Sequence, residues 1–260
     1  MKKRGRKAQT FIFIIVAIVI IALIVVIFYL NKGSSQSTID KEYFSSASIK
    51  PDVNLIHSSI QDCMDDTSKT ALDIIGIQGG YYDKPPYFFD LSWGFIPYYY
   101  YQGLFLMPSK QDVEEELGKY VDRNLNACLD ELEFNNFKLS YKESKTSVAI
   151  RSKEVGFVID MPVYIEREGK RIILELKEIQ IDHSSYLNEI LEVAKYITDS
   201  HLESDSLLCV NCVVEMAEER DVYVDLLDFE DPSNTLVMIT ENKTRTEPYI
   251  FEFLNKYIIE

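Results

Sequence analysis

The chain has 260 residues, of which 42 are acidic and 27 basic, for a net charge of −15. An acidic surface repels phosphate, which excludes a general nucleic-acid binder. The length suffices to bury a real core, as one domain or two small ones.

Residues 1–10, MKKRGRKAQT, carry five basic residues and no acid, and residues 11–30, FIFIIVAIVIIALIVVIFYL, carry no charge. Twenty residues at about 1.5 Å each make a helix of roughly 30 Å, the thickness of a hydrocarbon core. The expectation is a retained transmembrane helix. A cleaved secretory peptide is the other reading, but the apolar run exceeds the usual length and no small-x-small cleavage site follows. Positive flanks stay in the cytoplasm, so Lys2, Lys3, Arg4, Arg6 and Lys7 place the C-terminal side outside. With those five removed, residues 32–260 hold 22 basic and 42 acidic residues, a net charge of −20. Residues 31–50, rich in Ser and Lys, read as a linker.

Lys7-Ala8-Gln9-Thr10 ahead of the apolar run resembles the processing site of archaeal type IV pilin-like precursors (class III signal), in the N-terminal segment only. The resemblance implies cleavage after Ala8, with Gln9 as the mature N-terminus and the apolar helix packed in a filament core. It covers about the first 30 residues. The glutamate at the fifth mature position of bacterial pilins falls at Phe13 and is absent. The body resembles uncharacterised archaeal membrane proteins. An ordinary signal anchor accounts for the same N-terminal residues.

Residues 52–76 read as a helix, with Asp52 as cap and Ile56, Ile60, Cys63, Met64, Thr67, Ala71 and Ile75 on one face. Gly76, Gly79 and Gly80 end the pattern. The segment 81–105, YYDKPPYFFDLSWGFIPYYYYQGLF, holds twelve aromatic residues, and Pro85, Pro86 and Pro97 break helix and sheet, so a structured loop is expected. Four roles fit it: core, protein interface, contact with lipid headgroups, and stacking on sugars. Trp93, Tyr98, Tyr99, Tyr100 and Tyr101 are the candidate interface residues. Residues 109–134 predict a second helix, opened by a capping box of Ser109 and Asp112 and antiparallel to the first.

Residues 137–181 alternate and are β-branched, which predicts strands, with a tight hairpin at Glu168-Gly169-Lys170. Residues 184–202 return to helix, with Leu187, Ile190, Leu191, Ala194 and Ile197 inward. A shorter helix is expected over 206–220. VYVDLLDF and TLVMIT read as strands, and YIFEFLNKYII as strand or helix. The expected fold is a single N-terminal transmembrane helix followed by an α+β extracytoplasmic domain with a helical lead region. Its segments are 1–10 cytoplasmic, 11–30 spanning, 31–50 linker, 51–135 a helical pair with aromatic connection, and 136–260 α+β.

An even cysteine count outside the cytoplasm permits disulfides. Cys63 and Cys128 sit on the apolar faces of the two helices and are expected to pair, leaving Cys209 with Cys212. Cys209-Val-Asn-Cys212 also has the spacing of a thiol-redox site at a helix start. A four-cysteine zinc site would need Cys63 and Cys128 as its distant half. Asp160 with Glu175-Leu176-Lys177 imitates a nuclease metal pattern, for which the charge of the body is a poor fit. His57, His183 and His201 form no metal motif, and His57 and His201 read as helix-surface or boundary residues. Glu218 and Glu219 with Asp221, and Glu230 with Asp231, are acid pairs that could hold a divalent cation weakly, and solvated surface is the preferred reading. Asn242-Lys243-Thr244 is a glycosylation acceptor pattern.

The sequence therefore leads to a non-enzymatic, membrane-anchored surface or envelope protein, with a pilin-like subunit as the form the resemblance implies. It acts through homo- or hetero-association, contacts lipid through residues 11–30, and uses no cofactor or metal. The alternatives are a tethered extracytoplasmic ligand-binding module, and an enzyme or thiol-redox protein using Cys209 and Cys212.

Overall fold

A computed structural model describes residues 50–134, 137–167, 170–202, 208–241 and 249–258. They fold as four α-helices and two sheets. The expectation of a transmembrane helix ahead of an extracytoplasmic domain is corrected to this α+β fold. Among the described residues no helix is long and apolar enough to cross a membrane, and the single-pass location is corrected on the same finding. Residues 11–30, the lipid contact assigned to them, Ala8 and Gln9 lie outside the described residues. Phe44–Glu260 forms one compact unit.

Helix α1 is Lys50–Ile77 and α2 is Lys110–Asp130. The seven residues of the α1 stripe are all buried, Ile60, Met64, Ala71 and Ile75 completely. Gly76 lies in its last turn, where an added Cβ would stand 2.5 Å from Ile250 O, so the helix meets strand backbone there. Gly79 and Gly80 follow at φ 54° and 84°, a left-handed exit that glycine adopts at no steric cost. The capping box forms as expected: Asp112 N–H donates to Ser109 Oγ (3.2 Å) and Ser109 N–H to Asp112 Oδ2 (2.8 Å). Cys63–Cys128 joins the two helices, with Cα atoms 5.7 Å apart.

The aromatic segment differs from the loop expected. It forms β1 (Phe88–Asp90), β2 (Phe95–Tyr101) and β3 (Leu104–Phe105). Tyr98 N–H donates to Tyr87 O, so Pro97 turns its donorless nitrogen to the opposite side. On that side the ladder to the last strand begins only at Tyr98, and no bond is lost. Pro85 and Pro86 lie ahead of β1, where they break nothing.

The smaller sheet is a long hairpin of β6 (Glu154–Arg167) and β7 (Lys170–Ser184). Along the other edge of β6, β4 (Lys138–Tyr141) and β5 (Lys145–Arg151) lie end to end. Arg167 pairs with Lys170, and residues 168–169 of the expected turn lie outside the described residues. Pro162 occupies the gap between the β4 and β5 ladders, where its carbonyl accepts from Lys142 N–H and no strand asks for a donor. Helix α2 covers the edge of β5. Glu114 accepts from Ile150 N–H (2.8 Å), and Asp122 from Thr146 Oγ1 (2.7 Å) and Ser144 Oγ (2.9 Å). Asp122 also accepts from Thr146 N–H (3.3 Å), so carboxylates occupy two backbone donors, those of Thr146 and Ile150, that an open edge would offer to another chain.

Helix α3 (Leu187–Asp199) buries Leu187, Ile190, Leu191, Ala194 and Ile197, all five as expected, and a 3₁₀ turn follows over Ser200–Leu202. Helix α4 is Val210–Glu219. The larger sheet then forms from β8 (Val222–Phe229), β9 (Asp231–Glu241) and β10 (Ile250–Lys256), in the order β1-β2-β10-β9-β8 with β3 beside β2. β2 and β10 run parallel and unite the aromatic segment with the C-terminal strand. One apolar core takes residues from both sheets and all four helices.

Candidate interaction surface

The larger sheet has two unlike faces, and strand alternation assigns them. Val222, Val237, Ile239, Phe251, Phe253 and Tyr99 point into the main core. On the opposite face, the registers align Leu227–Leu236–Leu254–Tyr98 in one row across four strands. Asp225–Met238–Glu252 and Tyr223–Thr240–Ile250 form the next two rows. Leu254, Tyr98 and Ile96 gather with Phe89, Leu91, Tyr101, Leu106, Phe229 and Leu236 into a second cluster, which among the described residues takes none from a helix. Towards β8 the apolar side chains open to solvent: Tyr223 is 47% and Leu227 48% exposed.

Burial divides the five aromatic candidates. Tyr98, Tyr99 and Tyr100 are buried, which corrects their assignment to an interface. Tyr99 stacks on Phe253 at 4.2 Å and donates its hydroxyl to Gly79 O at 2.9 Å. Tyr100 lies against His201 at 4.9 Å, and its N–H donates to Asn255 Oδ1. Tyr101 is half-buried, with Lys256 over its ring. Trp93 alone is freely exposed, at 76%. It sits in the β1–β2 turn, where Leu91 N–H donates to Gly94 O and Ser92 takes φ 71°, positive at the first central position as in a type II′ turn. The β2–β3 turn has Gln102 and Gly103 both at positive φ, the type I′ pattern, and leaves Leu104 and Phe105 exposed.

The charge on the outer sheet face is acidic. Asp225 lies exposed between Tyr223 and Leu227 on one strand face, and Glu252 stands in the same cross-strand row. Burial pushes the Glu252 carboxyl above its ordinary range, so this acid is held partly desolvated.

The remaining sequence candidates find structural explanations. Asp160 Oδ1 accepts from Glu178 N–H (2.6 Å) across the bulge where β6 and β7 shift register, and Glu178 takes φ 51°. Lys177 is exposed, and the side chain of Glu175 lies outside the described residues. Glu218, Glu219 and Glu230 are exposed, and Asp221 pairs with Lys153 at 3.2 Å. The side chain of Asp231 and the Asn242–Thr244 pattern lie outside the described residues. Among the described residues no group of three His, Cys, Asp or Glu could hold a metal ion. A cleft of about 320 Å³ is lined by Lys153, Glu189, Glu192, Glu219 and Arg220. Its charges already engage protein: Arg220 bonds Glu192 at 3.0 Å, and Ser152 Oγ donates to Glu189 at 2.6 Å.

Two histidines sit deeper than the sequence suggested. His201 is buried, with Nε2 3.2 Å from Asn255 Nδ2, which ties the end of α3 to β10. His57 is half-buried on α1. His183 on β7 places Nε2 2.7 Å from Ser68 Oγ and 4.0 Å from Asp65 on α1. The three residue types suggest a nucleophile triad, but the geometry is that of a helix–sheet clamp. Ser68 is fully buried, and Asp65 approaches the same ring nitrogen as the serine rather than the far one. A separation of 115 residues gave the sequence no signal for this pair.

Burial lowers the His183 pKa against opposing contributions from Asp65, Asp182 and Asp73, while Lys69 adds to the lowering. The fold therefore prefers neutral His183. Its contribution is present above the unfolded value near 6.5 and is lost as pH falls through the folded one. Wild-type stability should decline between pH 7.5 and 5.5, measured by urea midpoint, and His183→Gln should flatten that decline. An equal slope in the variant would remove His183 as its source.

No family model, curated protein or solved structure matches the chain.

Proposed function

We propose that this protein works by association, and that the outer face of the larger sheet is its contact surface. The observation that carries this reading is the β8 edge of that face, where Tyr223 and Leu227 stand 47% and 48% exposed, while the buried cluster of Leu254, Tyr98 and Ile96 behind them takes no helical residue among those described. Exposed Trp93 in the β1–β2 turn, and Leu104 and Phe105 on β3, add aromatic and aliphatic surface. Asp225 and Glu252 within the face, and the charge of −20 over residues 32–260, favour a partner that combines apolar side chains with Lys or Arg. A second copy of the chain brings acid against acid and is the weaker partner.

The test uses the full chain and two synthetic strand peptides, one alternating valine with lysine and one alternating valine with glutamate. The lysine peptide should bind in fluorescence anisotropy. Tyr223→Ser with Leu227→Ser should weaken it by about tenfold, the scale of a lost interface anchor. The fold should survive, since both residues are surface. Equal binding of the glutamate peptide, or unchanged affinity in the double variant, would refute the surface.

The resemblance of Lys7-Ala8-Gln9-Thr10 to a prepilin site supports a second reading, in which the partners are subunits of an assembly. Intact-mass analysis of the mature protein should then find Gln9 at the N-terminus. An intact Met1 would remove that reading and leave the sheet surface untouched.

A further inference from the structure

The two disulfides occupy opposite environments. Cys63–Cys128 lies between α1 and α2, with Cys63 3% exposed, and spans 65 positions of sequence. Cys209–Cys212 spans three, and Cys209 is exposed. So short a loop restricts the unfolded chain little, which leaves this bond with a small structural role.

We propose that Cys209–Cys212 is an exchangeable disulfide that oxidises dithiols in apolar polypeptide segments. Three features meet at this place. Cys209 is the N-cap of the ten-residue helix α4, and its sulfur accepts from Cys212 N–H at 3.3 Å. The helix start and that N–H stabilise negative charge on Cys209 when it leaves as a thiolate in the second step of an exchange. Val210 and Val214, one helical turn apart, are 53% and 44% exposed beside the disulfide, while Val213 and Ala217 bury the opposite face. Small exposed apolar groups next to an accessible sulfur favour a thiol carried on an apolar segment over a small hydrophilic one.

The exchange balances without a further reagent. A substrate thiolate attacks Cys209 Sγ; the new bond forms as the Cys209–Cys212 bond breaks, and the electron pair leaves on Cys212. The second substrate thiolate then attacks the first substrate sulfur, the substrate disulfide forms, and the pair leaves on Cys209. Two electrons pass from substrate to protein, and the two substrate protons end on Cys209 and Cys212 through solvent. Turnover beyond one equivalent needs an external disulfide of the same chemical class to reoxidise the pair.

The probe is a synthetic unstructured peptide with two cysteines flanked by leucines, mixed with the full oxidised chain and compared with dithiothreitol. One equivalent of peptide should become oxidised while Cys209 and Cys212, and not Cys63 or Cys128, become alkylatable by mass spectrometry. With the oxidised peptide, Cys212→Ser should trap a mixed disulfide at Cys209. Val210→Ser with Val214→Ser should slow exchange with the peptide at least tenfold and leave the rate with dithiothreitol unchanged. Three results would overturn the proposal: no peptide oxidation, Cys63 and Cys128 opening as fast as Cys209 and Cys212, or equal slowing with both reductants.

Discussion

Replacing Tyr99 with serine is expected to unfold the protein or to strip it of most of its stability. The ring is fully buried, stacks on Phe253 at 4.2 Å and meets Phe251 edge-on at 6.3 Å. Losing a large buried aromatic costs about 3–5 kcal/mol, and the vacated space removes dispersion contacts that the rigid sheet cannot close up to restore. Gly79 O would also lose the hydroxyl that satisfies it. Against a total of about 5–15 kcal/mol, that loss leaves little margin. Urea denaturation followed by circular dichroism gives the readout. An unchanged midpoint would contradict the core position of this ring. Tyr223→Ser provides the contrast, because a surface substitution shifts stability by about 0.5 kcal/mol or less.

The Cys63→Ala, Cys128→Ala double variant should lose about 4 kcal/mol, the loop-closure value for a span of this length. Both sulfurs lie between α1 and α2, so the loss falls on the contact that positions both helices against the core. Removing Cys209–Cys212 should cost about 2 kcal/mol at most by the same relation. Thermal midpoints of the two double-alanine variants, measured side by side, test the ordering. A larger drop for the Cys209–Cys212 variant would reverse the assignment of structural and exchangeable bonds.

The α1 stripe, the inward face of α3 and the Ser109–Asp112 box were legible in the sequence because each depends on residues three or four positions apart. The cysteine pairing was legible for a related reason: both helical cysteines share the apolar faces of their helices. The strands of 137–181 followed from alternation and β-branching, which are equally local. The apolar run at 11–30 led the same kind of reasoning to a spanning helix, and the described residues hold no helix of that character.

Other features depended on contacts between distant segments. Pro97 reads as a strand breaker until the partners of β2 are known: its missing donor then faces a side where the ladder has not begun. The Ser68–His183 clamp and the Asn255–His201 contact join residues 115 and 54 positions apart. The interface candidates divided for the same reason. Tyr98, Tyr99 and Tyr100 are chemically identical neighbours of Tyr101, and what packs on each ring separates them: Leu254 gathers with Tyr98, Phe253 stacks on Tyr99 and His201 lies against Tyr100. The exposed surface at Tyr223 and Leu227 carried no signal, because alternation in β8 marks two faces without saying which one receives the helices. Local spacing fixes which side chains share a face. Burial depends on what packs against that face, and here the packing partners come from segments far away in the chain.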